Sequence, residues 1–446
     1  MEAFPMDVDS TNFAGSRGAR RSVDARVVDR HVVRSATRGM STGSVHVSLL
    51  FAATLALVCP VLSTTAGCGG KTPPVQGDDD DNPIIDAPKD IDAPPDAPPG
   101  PCTLPSLSLT VATLAGCGEN GTTDGVRDHA RFSNPVNVVL AQDGSAFVAD
   151  FDTNRIRKVD PTGSTTTILS ALPSFQRPFG LALAPDGTLY AETDDNDLME
   201  HSITTGTVWR VDTATGAATV VARNLGRPRG LAVLTDGKLA MSDQLHHTIS
   251  ILDPVTAGVT LLAGTTDAPG HVNDVGAAAR FSQPYDLALL PDGDLAVADF
   301  DNHRIRRVKL DGTVSDLAGA GAIGDTDGDV ATATFHSPKG ITVMADGTIF
   351  VTDADNHDIR QIAGGQVTKL AGTGVPGWKD SNDPLQAQLY GIEGIDTDGT
   401  TLLVADGNNG DLEAFNRIRV IHLADLAAFT HRADARAATH VAPTHR

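Results

Sequence analysis

Positive charge is scarce in this chain: 34 Lys and Arg stand against 56 Asp and Glu, a formal net charge of −22. Seven of the Arg lie in residues 1–67, which hold five acidic side chains, so the remainder carries about −24. That argues against DNA, RNA and anionic headgroups as the main partner, because these are bound through clustered cations that displace counterions. Aromatic residues are also few, 4% of the chain, while there are 44 Gly. This balance suits short, closely packed strands joined by tight turns. Cysteine is limited to four residues. Cys59 lies in an apolar run and Cys68 follows it. In an oxidising compartment the remaining two, Cys102 and Cys117, close a short loop worth about 3 kcal/mol; otherwise they stay unpaired thiols. No Gly-x-Ser-x-Gly elbow, zinc-protease helix or phosphate loop occurs in the sequence.

The apolar run, VHVSLLFAATLALVCPV over residues 45–61, is short for a spanning helix and reads as the core of an export signal. The LSTTAGC that follows resembles a bacterial lipobox. Ala66 and Gly67 are the small pair, Cys68 is the residue that is lipidated and becomes the new N-terminus, and Thr65 stands where that pattern has Leu. Met1 and Met40 both remain open as the start. Residues 68–101 are rich in Pro and Asp, with nine Pro and eight Asp between 71 and 101; such a chain self-repels and stays extended as a tether. These features divide the sequence into an N-terminal extension with its signal (1–67), a tether (68–101), a folded array (102–423) and a tail (424–446). The expectation is an array at the bacterial cell envelope, anchored by lipid and facing the periplasm or the exterior, with ordinary secretion and an uncleaved anchor as the alternatives.

The array repeats one phrase six times: an apolar strand closed by Asp-Gly, then a strand ending in Asp. The clearest copies are FSQPYDLALLPDGDLAVADFDNHRIRRV from Phe281 and FHSPKGITVMADGTIFVTDADNHDIRQI from Phe335. The Asp-Gly pairs begin at Asp143, Asp186, Asp236, Asp292, Asp346 and Asp398, with spacings of 43, 50, 56, 54 and 52 residues. Four strands per unit of this length predict an all-β, six-bladed propeller. The sixth unit stops after its third strand, whereas LTVATLAG from Leu109 is an orphan of fourth-strand type. If that N-terminal strand completes the last blade, no sheet edge is left open at the seam.

DFDNHRIRRV, DADNHDIRQI and DFDTNRIRKV resemble the NHL repeat, with Asn302–His303 and Asn356–His357 carrying its Asn-His pair. Related six-bladed propellers include lyases and lactonases that hold a metal over the axis with His, Asp, Asn and Glu from inner strands. Here the matching positions offer Asn137, Asp286 and Glu393 and no His. The Asp residues that end the second strands, Asp150, Asp194, Asp243, Asp299, Asp353 and Asp406, are read as caps of the following turn. The repeated His247, His303 and His357 are given the same structural reading.

The deviations from the repeat say more about function. Asn137 and Asp286 replace the Gly of units two, three, five and six, and units one and four face each other across the axis. One position earlier lie Phe179, Arg229, Tyr285, Lys339 and Glu393, near the channel mouth. Arg177, Arg223, Arg227 and Arg229 form a basic group. Long connections precede units one, four, five and six, short ones precede two and three, and unit two carries an insertion after Asp194. The rim is therefore expected to be high on one side and low on the other. The resulting expectation is a monomeric binding or scaffolding module for a protein or glycan ligand on the loop-bearing face. Its candidate contacts are Asn137, Asp286, Arg229, Tyr285, Lys339 and Glu393, and it has no cofactor. The alternative is an extracellular propeller enzyme of lyase or lactonase type, with calcium or zinc held by Asn137 and Asp286.

Overall fold

The computed structural model describes residues 101–170, 172–408 and 415–426. Cys68, nearly all of the tether, most of the sixth unit's insertion and most of the 424–446 tail lie outside the described residues.

Six antiparallel sheets stand in a ring. Their inner strands are Pro135–Leu140, Pro178–Leu183, Pro228–Val233, Pro284–Leu289, Pro338–Val343 and Gly391–Thr397. Each packs on the next, and the sixth meets the first. Blades 1 to 5 end in outer strands Thr165–Leu169, Ala218–Ala222, Val259–Gly264, Val314–Ala318 and Gln366–Ala371. In blade 6 the outer position is held by Val111–Gly118, antiparallel to Asn416–His422. Cys117 in this strand is disulfide-bonded to Cys102.

The Asp-Gly turns show why the sequence folds this way. The glycines at 144, 187, 237, 293, 347 and 399 all have φ between 78° and 91°, a conformation that costs Gly nothing and most other residues something. In each turn the Asp carboxylate accepts the N–H two residues on, as Ser145 donates to Asp143 at 2.9 Å and Thr348 to Asp346 at 2.9 Å. Apolar side chains then fill the seams between sheets. The seam of blades 2 and 3 is the leanest described: it gathers eight buried residues, among them Tyr190, Leu231 and Met241, against 11 for blades 5 and 6.

Candidate functional site

Four of the recurring Asp residues are latches. Asp150, Asp299, Asp353 and Asp406 pair with Arg157, Arg306, Arg360 and Arg419 of the third strands at 2.6 to 3.1 Å. All eight side chains are buried. The carboxylates do not cap the following turn, as expected from sequence; their other oxygen accepts an N–H from the connection that precedes the blade, Ser133, Ser282, His336 or Tyr390. Each guanidinium also holds carbonyls of that connection, for example Arg306 with Arg280 and Val272, and Arg360 with Thr334 and Thr326. A buried carboxylate accepting a backbone N–H and a guanidinium is satisfied on both oxygens. The motif histidines staple neighbouring blades: Nδ1 of His247 and of His303 accepts the N–H of Gln283 and of Ser337 at 3.0 and 3.1 Å. Burial pushes both imidazoles below their ordinary value, which keeps that nitrogen an acceptor.

Blades 2 and 3 lack the latch. In blade 2 the residue opposite Pro178 is Thr193, so Asp194 is not the equivalent of the other five and the sequence alignment was one residue out. Trp209 replaces the Arg and donates to Thr193 Oγ1 at 2.7 Å. Blade 3 has Ser250 at the Arg position, opposite Met241, and Asp243 pairs with His246 at 2.8 Å instead. These are the two blades with short preceding connections. With no long loop to fasten, the Arg has no carbonyls to hold.

The residues assigned from sequence to the channel mouth pack on one another and on neighbouring aromatic rings. The Arg229 guanidinium lies 4.0 Å over the Phe179 ring, Phe179 meets Tyr285 edge-on at 5.7 Å, and Tyr285 stacks on Phe300 at 5.6 Å. Tyr285 donates to Glu393 Oε2 at 3.0 Å and Lys339 donates to Oε1 at 2.8 Å. Four predicted candidates, Arg229, Tyr285, Lys339 and Glu393, are thus brought together. None is more than 7% exposed: Tyr285, Lys339 and Glu393 bind one another, and Arg229 is held by Asp194 and Gln244.

Asn137 and Asp286 are not joined. An added Cβ on Gly394 would lie 2.6 Å from the Asn137 Cα, and one on Gly230 would lie 2.7 Å from the Asp286 Cα. Each exception therefore sits beside a Gly of the preceding blade, which makes room for its backbone. Asp286 accepts from the Leu287 and Ile341 N–H groups at 2.8 and 3.2 Å. Burial without a neighbouring cation pushes its carboxyl up to about 7, and the Asp396 carboxylate adds in the same direction. The three carboxylates that do cluster, Asp325, Asp353 and Asp358, sit on blade 5. Lys369 pairs with Asp325 and Asp358, and Arg360 with Asp353, so cations of the chain already occupy them.

The basic group of the low side is largely neutralised. Arg227 and Arg229 are buried against Asp194 at 3.0 and 2.7 Å, and Arg223 pairs with Asp197 at 2.9 Å. Beside them the blade 2 insertion carries exposed Leu198, Met199 and Ile203. Sequence reading missed Glu192, which is fully buried; burial and the Asp194 carboxylate push it well above its usual value. It also missed a cleft of about 750 Å³ between blades 2 and 3, lined by Thr204, Val221, Arg223, Asn224, His246 and Val259. The hydrogen bond to Asp243 pushes His246 above its ordinary value. The cleft opens where the connections are short and the seam is lean.

The ring defines a six-bladed β-propeller of four-stranded blades. The NHL repeat family matches residues 281–308 and 335–362, the first three strands of blades 4 and 5. The chain is 25% identical over 285 residues to the chloroplastic protein Suppressor of Quenching 1 of Arabidopsis thaliana, covering 56% of this chain and 27% of that one. It is 27% identical over 293 residues to Teneurin-m of Drosophila melanogaster, covering 56% and 10%. This chain therefore spans about a quarter or less of these relatives. Among solved structures, an auxiliary nutrient binding protein of Bacteroides thetaiotaomicron superposes with a TM-score of 0.56 at 18% identity, covering 70% of this chain and 75% of that one.

Proposed function

We propose that this propeller is a binding module for a protein or glycan ligand, displayed at the bacterial cell envelope by a lipid on Cys68. The carrying observation is the one-sided cleft: a rigid ring presents about 750 Å³ of mixed polar and apolar lining at the blade 2–3 seam, as ligand sites on rigid scaffolds do. The shared fold with Bacteroides auxiliary nutrient binding proteins is in keeping with this reading. The enzyme alternative has less support, because Glu393 is occupied by Lys339 and Tyr285 and both oxygens of Asp286 accept backbone N–H groups.

Filling the cleft tests the proposal. The purified full chain is screened against envelope glycans and peptides, and any ligand retained is measured again on Val221→Trp and, as a control on blade 5, Thr368→Trp. The expected result is a loss of about tenfold or more in affinity, roughly 1.4 kcal/mol, for Val221→Trp alone; equal binding by both variants would place the ligand elsewhere. The anchor has a separate check. Cys68→Ala is expected to move the protein from the membrane to the soluble fraction, and unchanged partitioning would remove the lipid from the proposal.

A further inference from the structure

In this ring four outer strands are covered by the chain itself. In blade 1 the Thr165 and Gly125 N–H groups donate to each other's carbonyls at 2.8 and 3.0 Å, and Asp124 accepts the Thr167 N–H at 2.9 Å. In blade 4 Val314 donates to the Asp274 carbonyl at 2.8 Å. In blade 5 the short strand Gly328–Asp329 pairs with Val367 and Gln366. In blade 6 Val111 and Ser381 exchange two bonds at 2.9 Å, and Asp380 accepts the Thr113 N–H at 2.9 Å. Every covering residue belongs to a long connection that an Arg latch ties down. The long connections thus do more than raise a wall on the face; they turn over the outer edges.

Blade 3 has the same register without the cover. Val259 and Leu261 stand opposite Leu252 and Ser250, as Thr165 and Thr167 stand opposite Val159 and Arg157. Their N–H groups therefore point outward, and among the described residues no acceptor meets them. Both side chains are exposed, 47% and 46%, and Val255 beside them is 88% exposed. The strand, Val-Thr-Leu-Leu-Ala-Gly, has none of the Lys, Pro or inward charge by which edges are usually guarded against pairing. Asp253 precedes it and Asp267 follows it; Asp253 Oδ1 accepts the Val255 and Thr256 N–H groups of the turn, and among the described residues neither carboxylate forms an ion pair.

We propose that the outer strand of blade 3, Val259–Gly264, is a docking edge for an extended segment of another protein. The segment carries alternating apolar residues flanked by Lys or Arg, and it adds antiparallel as a fifth strand. Backbone pairing supplies the affinity; Val259, Leu261 and Val255 select the apolar side chains, and Asp253 and Asp267 select the flanking cations. A second copy fits less well, since each chain carries −22 and like charge opposes association. The edge is a separate surface from the cleft, although Val259 borders both.

The test titrates a blocked peptide, Lys-Thr-Val-Thr-Val-Thr-Lys, into the full chain and follows amide exchange. Exchange at Val259 and Leu261 is expected to slow by about tenfold or more on saturation. Leu261→Pro removes an outward N–H and leaves the ladder to the third strand intact, an edge position where Pro is tolerated; it is expected to weaken binding by about tenfold. Leu261→Ala keeps the N–H and retains binding within about threefold. A peptide with Pro in place of one of its two Val asks the same question without altering the protein, and is expected not to bind. Failure of the first peptide to bind, or binding that leaves these amides unprotected or survives both Pro changes, would overturn the proposal. So would protection already present in the free chain, which would assign the edge to the chain's own tail, or protection that grows with chain concentration alone, which would assign it to a second copy. Val221→Trp is expected to leave peptide binding unchanged; loss there would move the peptide into the cleft.

Discussion

Replacing Arg306 by Met is expected to lower stability by about 3–5 kcal/mol at neutral pH, the cost of leaving one partner of a buried pair uncompensated. Urea unfolding measures it. The guanidinium of Arg306 is 2.6 Å from Asp299, holds the Arg280 and Val272 carbonyls, and lies over the Phe281 ring at 5.3 Å. Even with this cation present, burial pushes Asp299 up to about 6. Without it the carboxyl is pushed higher still and takes up a proton, so the deficit should shrink as pH falls towards about 6, the wild-type value, and stay constant below it. Adding Asp299→Asn to Arg306→Met should recover part of the loss, because no charge is then stranded. Blade 2 has made an equivalent exchange with Thr193 and Trp209. A deficit below about 1 kcal/mol would mean that the latch is not what holds the connection.

Asp286→Asn is expected to stabilise the protein at alkaline pH. The wild-type carboxyl is raised from its ordinary 3.8 to about 7 in the folded chain. Between about pH 4 and pH 7 the unfolded chain gives up a proton that the folded chain keeps. This group's contribution to stability is therefore undiminished below about pH 4, falls as pH rises through that window, and levels off above about pH 7. A shift of this size corresponds to at most about 4 kcal/mol, and because the Asp286 side chain is only partly buried solvent screening reduces it to roughly 2 kcal/mol. Asn retains an acceptor for the Ile341 N–H. Variant and wild type should then be equally stable near pH 4 and differ by roughly 2 kcal/mol, in favour of the variant, near pH 8. Parallel curves at all pH values would show that Asp286 ionises normally. Raised carboxyls that do not act on Asp286, such as Asp150, Asp353 and Asp358, tilt both curves alike and cancel in the comparison.

The ring was legible because its signals are local. Asp-Gly turns need positive φ at the Gly and a carboxylate two residues from a free N–H, and both requirements are written in adjacent letters. Connection lengths were equally plain; where the long connections go was not, because nothing in a loop's length says that it will turn over an outer edge. The latch was hidden in plain view. Arg157, Arg306, Arg360 and Arg419 recur at one position of the third strand, but a charged residue in an alternating strand reads as solvent-facing until a buried Asp is known to sit beside it. The misplacement of Asp194 has the same origin: blade 2 swaps the Asp–Arg pair for Thr193 and Trp209, so the Asp one residue beyond the true position was aligned. The mouth residues were correctly grouped as a set, yet their mutual engagement depends on side chains reaching between inner strands of different blades, which repeat alignment does not report.

The central claim is that Arg latches close four outer edges of the ring and leave the blade 2–3 sector open. Amide exchange of the full chain, read strand by strand, tests it most directly. The outward N–H groups of Val111, Thr165 and Val314 should be strongly protected, while those of Val259 and Leu261 in blade 3 and of Ala218 and Val220 in blade 2 should exchange near the rate of free peptide. Uniform protection of all six outer strands, or open edges in blades 1, 4 and 6, would contradict it.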